Sequence, residues 1–409
     1  MPRSWLLSSC GKGIGVRLSA STQPVIVHLR KDLTRDIKRG HVWLYGDAVD
    51  RPRAPSGSYA LLIDRHGQKI ASGIYDADHP IVLRICRTTA PWDLNQEWFN
   101  GCMETALKLR HGLRATETTG FRLINGEGDG LPGLVVDVYG DVGVVKLDGG
   151  APQHFYDVRQ VAEWLVKNTS CRTVIERSRQ RGEPARLRTG AMPDQPIDFL
   201  ENGLKFSADV LHGQKTGFFL DQRENRHLIR QLASDQSVLN LFSFSGGFSV
   251  AAGVGGCRHA TSVDLAPAAI EAADHHWQLN GLDVQKHQGV VSDVFAFLES
   301  VPAGKCWDIV ICDPPSFAPS ERTKRAAEEA YQRLALLSAK IVSPGGLIAL
   351  ASCSSHIDAA NFEELNLAGI GRARRRATLI ANRSLPLDHP TPFAMPELRY
   401  LKFQLLRLA

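Results

Sequence analysis

The chain has 409 residues, 43% of them hydrophobic, and a formal net charge of +5. That length suits two or three domains of ~100–200 residues each with a sizeable core, and the mildly basic balance leans towards an anionic partner without demanding one. No apolar run reaches ~18 residues, so no transmembrane helix is expected, and the eight cysteines form no C-x-x-C pair and no Cys/His ligand spacing, which argues against a metal site or a disulfide framework and fits a reducing, cytoplasmic setting.

In chain order, residues 1–22 lack acidic residues, and their apolar centre (Trp5-Leu6-Leu7) is too short for a secretory signal. They are expected to be a disordered extension. Residues 23–92 read as a small all-β unit. VIVHL, YALLI, QKIASGIY and IVLRIC are short strands set apart by Gly, Asp and Pro, with one helix near Asp32–Arg39. Lys38-Arg39-Gly40-His41-Val42-Trp43-Leu44-Tyr45 and Gly73-Ile74-Tyr75 leading into Pro80-Ile81-Val82-Leu83-Arg84 carry a resemblance to the PUA domain. That resemblance implies a small RNA-binding barrel; packing between domains is the other use of such a barrel.

Residues 93–205 predict a mixed α+β middle domain. A helix is expected over Trp98–His111, then strands on either side of the turn dipeptides Asn125-Gly126 and Asp129-Gly130. A second hairpin (VVDVYGDVGVVKL), a helix over Tyr156–Asn168 and the strand CRTVIERS follow. The basic run Arg177, Arg179, Arg181, Arg186 and Arg188 reads equally as an RNA contact or a solvated loop.

From 206 to 409 strands and helices alternate, which predicts βαβ units and a parallel sheet of the Rossmann-like type. SVLNLF (237–242) is followed by a turn holding Gly246 and Gly247. TSVDL ends on Asp264, QGVVSDVF places Asp293 after a third strand, DIVICDPP carries Asp313 and GGLIALASC reaches Cys353. Each feature falls at the carboxyl end of its own strand, so all share one sheet edge, where open α/β sheets bind ligands.

The residue types suit one ligand. Glycines admit close backbone approach. Asp264 can accept both hydroxyls of a ribose, and Asp293 an adenine amino group, if these acids do more than cap helices. Arg223 can grip a carboxylate through two hydrogen bonds and Asp221 an ammonium. Together these describe S-adenosylmethionine (SAM). A dinucleotide is disfavoured because SFSGGF lacks G-x-G-x-x-G.

The C-terminal half is similar to the class I SAM-dependent methyltransferases. With the front end, the chain resembles the PUA-containing methyltransferases that make 5-methylcytosine in large-subunit ribosomal RNA. The matching residues are His212-Gly213-Gln214-Lys215-Thr216-Gly217-Phe218-Phe219-Leu220-Asp221-Gln222-Arg223, Asn240 through Phe248, Asp313-Pro314-Pro315-Ser316-Phe317 and Ser352-Cys353-Ser354. The tail Asp388-His389-Pro390, Pro396-Glu397 and Tyr400-Leu401-Lys402 also matches. The resemblance implies cofactor contacts from Phe219, Leu220, Asp221, Arg223, Phe242, Ser243, Gly246, Asp264, Leu265, Asp293 and Asp313. It also implies base contacts from Pro314, Pro315 and Phe317, with rRNA as partner. The oligomeric state stays open, a homodimer among the options. Ser316 stands where the family usually has Lys, and Gln214 replaces a common His.

The target atom is a separate matter. A DPP-x-F turn also resembles the loop of enzymes that methylate base nitrogens without a nucleophile. Carbon 5 of cytosine needs a thiolate to add at carbon 6 first. Cys353 is the candidate nucleophile and Asp313 the candidate acid at N3, while Cys312, inside the strand, is expected to be inert core. Arg322, Lys324, Arg325, Arg372 and Arg374–Arg376 are candidate phosphate contacts or solvated surface. A non-catalytic RNA-binding assembly factor is the remaining reading.

Overall fold

The computed structural model describes residues 23–178, 183–318 and 321–409. The expected extension over 1–22 and the residues Arg179 and Arg181 of the basic run lie outside the described residues. Five strands build the first domain: β1 (Val25–His28), β2 (Trp43–Tyr45), β3 (Tyr59–Ile63), β4 (Lys69–Tyr75) and β5 (Ile81–Arg87), with α1 (Thr34–Lys38) between β1 and β2. Their order is β1-β3-β4-β5-β2, antiparallel except for β1 against β3. Val27, Ile37, Leu44, Leu62 and Val82 fill its core.

The middle domain opens with α2 (Gln96–Arg110), which Asn95 caps by accepting from the Trp98 N–H at 3.0 Å. Strands β6 (Gly120–Asn125), β7 (Leu134–Tyr139) and β8 (Val142–Leu147), helices α3 (Gly150–Phe155) and α4 (Val158–Asn168), and strands β9 (Thr173–Arg177) and β10 (Arg186–Thr189) follow. The sheet order is β10-β9-β8-β7-β6. A separate hairpin, β11 (Ile197–Glu201) and β12 (Leu204–Ala208), turns at Asn202-Gly203, both with positive φ (50° and 77°) as a type I′ turn requires. The boundary expected at 205/206 therefore cuts β12. The hairpin cannot be given to one side, because Phe199 and Phe206 share a core with Tyr139 and Val144 of the middle sheet and Val250 and Ala251 further on.

The C-terminal domain runs α5 (Arg223–Leu232), β13 (Ser237–Leu241), α6 (Gly247–Val254), β14 (His259–Asp264), α7 (Pro267–Leu279), β15 (His287–Val291), α8 (Val294–Ser300), β16 (Trp307–Cys312), α9 (Lys324–Lys340), β17 (Val342–Ser352), α10 (Ala359–Arg372), β18 (Ala377–Arg383) and β19 (Lys402–Leu408). The seven strands order as β15-β14-β13-β16-β17-β19-β18. The first five are parallel, and β19 runs against both β17 and β18. Chain direction reverses across the sheet between β13 and β16, the switch point where such sheets hold ligands. Residues 309–312 of β16 are fully buried, with β13 and β17 on either side, as their apolar, β-branched run predicts.

Beside the core shared through the β11–β12 hairpin, a set of polar contacts between the domains centres on the turn after β6. Glu127 accepts hydrogen bonds from Trp43 Nε1 (2.9 Å) and Arg84 Nη1 (2.7 Å) of the first domain. Two carriers of the PUA resemblance thus serve interdomain packing. Arg110 forks onto Asp129 at 2.6 and 2.7 Å and also donates to the Asp388 carbonyl at 2.8 Å, while Asn125 donates to Pro390 O at 2.8 Å. A Cβ on Gly128 would meet the Pro390 carbonyl oxygen at 1.8 Å, and both partners are backbone. Gly128→Ala is therefore expected to cost about 1–3 kcal/mol through forced displacement, read as a lowered midpoint in urea unfolding.

Candidate active site

The carboxyl edge of the parallel strands carries the 242–246 loop, Asp264, Asp293, Asp313 and Cys353. After β13 the chain enters a loop in which Phe242 (φ 56°), Phe244 (47°) and Gly246 (75°) all adopt left-handed backbone. Two phenylalanines there cost energy that neighbouring contacts must offset. The Ser243 N–H donates to Val263 O (3.0 Å) and the Phe244 N–H to Asp264 Oδ2 (2.9 Å), which pins the loop to β14. The Ser243 and Ser245 hydroxyls are buried with no hydrogen-bond partner among the described residues. Such groups in a native site point to a missing partner.

Asp264 accepts one backbone N–H on each oxygen, from Phe244 and from Ala266 (3.0 Å), leaving acceptor capacity on both. Leu265 beside it is 69% exposed, an apolar surface suited to a flat ring. Asp293 caps α8 through the Ala296 N–H (2.9 Å) and is otherwise exposed, so capping is a real part of its work. Phe219 packs edge-on against Phe244 with centroids 5.0 Å apart. Leu220 turns into the core with Phe199 and Phe206 and is 2% exposed, so its side chain is not at the cleft. Only its main chain is left for the expected cofactor contact.

Asp221 and Arg223 part company. Asp221 Oδ2 accepts from Lys215 Nζ (2.5 Å) and from the Tyr400 hydroxyl (2.7 Å), while its Oδ1 is buried without a partner. Burial pushes this carboxyl up, but the charges of Lys215 and His389 and the hydrogen bonds overcome it and hold the group well below the usual carboxylate range. It stays ionised with one oxygen unspent, as an ammonium ligand would need. Arg223 is fully buried and forks onto Asp388 at 2.8 and 2.9 Å. Its expected grip on a cofactor carboxylate is corrected: the guanidinium holds the C-terminal segment to α5, away from the cleft.

Asp313 follows β16 directly and keeps a partly exposed face. Gln222 Nε2 donates to its Oδ2 at 2.9 Å. Burial and the nearby Asp221 charge push its carboxyl up to about 7, so it can carry or give a proton at neutral pH. Pro314 is buried and Pro315 exposed, so the turn offers Pro315 outward. Phe317 lies half-buried beneath, 5.1 Å from the Tyr331 ring and 6.1 Å from Phe242, which makes it a support of the turn as much as a wall of the site.

The two cysteines separate cleanly. Cys312 is fully buried, with Sγ 3.0 Å from Ser338 Oγ and its thiol pushed up to about 12 by burial. Cys353 is the first residue past β17, partly exposed, with Sγ 4.0 Å from the Pro314 carbonyl. Burial and the Asp313 charge push its thiol up to about 11. Ser354 Oγ ties the two loops together, meeting Ser316 Oγ (3.1 Å), Tyr331 OH (2.9 Å) and the Ala318 N–H (3.3 Å). Ser316, which departs from the family pattern, thus braces the turn against the Cys353 loop.

Lys215, Gln222, Asp388, Tyr400 and Lys402 belong to this site or its supports, and sequence reasoning gave them no role. They stood inside matched motifs; Lys215 finds Asp221 within its own motif, but Gln222, Asp388, Tyr400 and Lys402 reach partners far along the chain in Asp313, Arg223, Asp221 and Ser354. Of the basic clusters, Arg375 is spent on the carbonyls of Ala339, Val342, Ser343 and Ala409, so it is a structural tie and not a phosphate contact. Arg177, Arg186 and Arg188 line a cleft of about 570 Å³ in the middle domain. Arg188 pairs with Glu176, and Arg177 donates to Val210 O and Gly213 O. Among the described residues no cluster suits a metal ion, and no helix is long and apolar enough to cross a membrane.

Five parallel strands in this order extended by an antiparallel strand, with strand-end acids and a strained loop at the switch point that carries the orphaned Ser243 and Ser245 hydroxyls, define a class I SAM-dependent methyltransferase. Residues 137–368 match the family model described as S-adenosylmethionine-dependent methyltransferase, and residues 27–88 the PUA-like domain. A ribosomal RNA large subunit methyltransferase of Deinococcus radiodurans is 37% identical, covering 95% of this chain and 99% of that protein. Ribosomal RNA large subunit methyltransferase I of Aliivibrio fischeri is 32% identical over 92% and 98%. A putative methyltransferase solved in complex with SAH superposes with a TM-score of 0.82 at 26% identity, over 94% of this chain and 99% of that one. The chain belongs to the SAM-dependent methyltransferase family that joins a PUA-like domain to this fold, the family of those ribosomal RNA methyltransferases.

Proposed function

We propose that this protein methylates carbon 5 of a cytosine in large-subunit ribosomal RNA through a transient bond between Cys353 and carbon 6. The relatives' names support the RNA class. The observation that carries the chemistry is the position of Cys353: partly exposed, at the carboxyl end of β17, against the Asp313-Pro314-Pro315 turn. Asp221 Oδ1 and Asp264 are the groups that would hold the amine and ribose of SAM, with the Ser243–Gly246 loop and Leu265 lining the same edge, and Asp293 would accept from the adenine amino group. Bound SAM supplies the methyl group, activated on a sulfonium, that carbon 5 takes. Cys353 Sγ adds to carbon 6 and Asp313 gives a proton to N3, which leaves carbon 5 electron-rich. Pro314 and Pro315 fix the turn that presents the Asp313 carboxyl. The base must leave its stack to reach this edge.

Nucleoside mass spectrometry of ribosomal RNA from cells with and without the gene tests the reading. A 5-methylcytidine should disappear from one large-subunit position. Loss of a nitrogen-methylated base would replace the proposal with the second reading, in which the turn grips an amine and no nucleophile acts. The observation on that side is the Cys353 thiol, held protonated near neutral pH.

Asp313 sets a pH limit. Its acid form is the working form, and with its carboxyl near 7 that form is lost as pH rises through 7 and beyond. Methyl transfer is expected to decline on the alkaline side. Asp313→Asn, which keeps a hydrogen-bond donor but no transferable proton, should lower kcat roughly 10²-fold or more with little change in KM for RNA and no alkaline decline of its own, as read by single-turnover assays across pH.

A further inference from the structure

Addition of Cys353 to a base requires an acceptor for the thiol proton. The charges acting on that thiol come from Asp313 and Asp221, which disfavour the thiolate, and from Lys215 and Lys402, which favour it. Asp313 works in its protonated form, so it is not the acceptor. Lys215 is committed to Asp221, with its ammonium 4.5 Å from the Phe219 ring centroid. Tyr331 faces the thiol as well, but its hydroxyl is held between Ser352 and Ser354 and its acidity is weakened by burial.

Lys402 is placed differently. It opens β19, where its backbone is in register with Ser352 of β17. Its Nζ donates to the Ser354 carbonyl (2.6 Å) and the Tyr400 carbonyl (2.8 Å). These contacts bracket Cys353: the Lys402 main chain pairs with the residue before it and the amine with the residue after. Lys402 is 6% exposed, and neither acceptor is a carboxylate. The exposed Asp358 acts on it through space alone. An ammonium brings three protons to two acceptors here, whereas a neutral amine places both of its protons and keeps a lone pair. A buried lysine without an anionic partner is readily neutralised. Burial accordingly brings the Lys402 amine down to about 8.

We propose that Lys402 takes the thiol proton as Cys353 sulfur bonds to carbon 6, and returns it when the adduct breaks. This rests on the covalent reading above. On addition the S–H bond breaks, the S–C6 bond forms and Nζ becomes an ammonium; the Asp313 proton goes to N3, so the base adduct stays neutral. After methylation the carbon 5 hydrogen leaves as a proton to solvent, and its electron pair restores the ring double bond and expels the sulfur. Nζ reprotonates that sulfur, and N3 returns its proton to Asp313.

The active form then has Asp313 protonated and Lys402 neutral. The wild-type pH profile should be a bell with its maximum near 7.5, midway between the two values. The test is single-turnover methyl transfer from pH 6 to 9 for wild type, Lys402→Met, Lys402→Arg and Cys353→Ala, with SAM affinity by calorimetry. Both Lys402 variants should lose roughly 10²–10⁴-fold in rate, lose the acid-side limb and bind SAM as wild type does. Arginine keeps the charge but accepts no proton, so wild-type rates in Lys402→Arg would overturn the assignment. A persistent acid-side limb in Lys402→Met would do the same. If neither variant binds SAM, the wild-type profile decides, and a flat rate between pH 6 and 8 overturns it. An active Cys353→Ala enzyme would sink the covalent reading itself; an inactive one alongside an active Lys402→Arg sinks the lysine alone.

Discussion

Cys353→Ala is expected to abolish methylation, by roughly 10⁴-fold or more, the scale on which loss of a covalent nucleophile acts. RNA carrying 5-fluorocytosine at the target should trap the wild-type enzyme as a complex stable to denaturing electrophoresis, because fluorine at carbon 5 cannot leave as a proton would. Cys353→Ala should give no such band. SAM affinity should be unchanged, since none of the orphaned polar atoms in the cofactor cleft belongs to Cys353. Cys312→Ala is the matched control. That thiol is sealed against Ser338 and cannot reach a base, so its replacement should cost packing alone. A Cys353→Ala enzyme that still makes 5-methylcytidine would end the covalent mechanism.

Asp388→Asn is expected to destabilise the protein by about 3–5 kcal/mol, because it removes the one buried carboxylate on the buried Arg223 guanidinium and leaves it only the half-exposed Glu224 as an anionic partner. The Asp388 carboxylate accepts two bonds from Arg223 and one from the Arg122 N–H (3.0 Å), and its own carbonyl accepts from Arg110. One residue thus holds α2, β6 and α5 together. The urea midpoint should fall sharply, whereas the double replacement Arg223→Met with Asp388→Met should recover much of the loss, as apolar substitution of buried pairs often does. The pH dependence follows from the sign. Burial raises the Asp388 carboxyl, but His389 and Arg223 hold it far below the usual range. Its stabilisation is complete above the unfolded carboxyl value near 4 and is lost as pH falls below it. The gap between wild type and Asp388→Asn should therefore narrow in acid.

These two experiments probe features of unequal visibility. Cys353 was visible in sequence because a strand's length and its apolar run fix where it ends. The same local logic placed Asp264, Asp293 and Asp313 at one sheet edge. Arg223 was misread for the opposite reason. A basic residue close to an acid suggests a ligand clamp, yet its partner Asp388 lies 165 residues away. Nothing local distinguishes a guanidinium that faces a cleft from one that faces a fold. The direction of the Leu220 side chain is hidden in the same way, since it depends on a core shared with β11 and β12.

The sequence by itself determined the alternation of strands and helices over β13–β17, their parallel pairing, and the strand-end positions of the acids and the thiol; the antiparallel β18–β19 edge was not legible there. Those follow from hydrophobic period, turn residues and the stops that prolines impose, all read over a few residues. The tertiary structure decided which polar groups are spent and which are free. Asp221 keeps an unspent oxygen, Arg223 does not face the cleft, Asp313 is raised towards neutrality, and Lys402 is brought beside Cys353 by an antiparallel strand that returns from the chain's end. Burial and long-range pairing set those outcomes, because a charge's energy depends on what surrounds it in space and not on its neighbours in sequence.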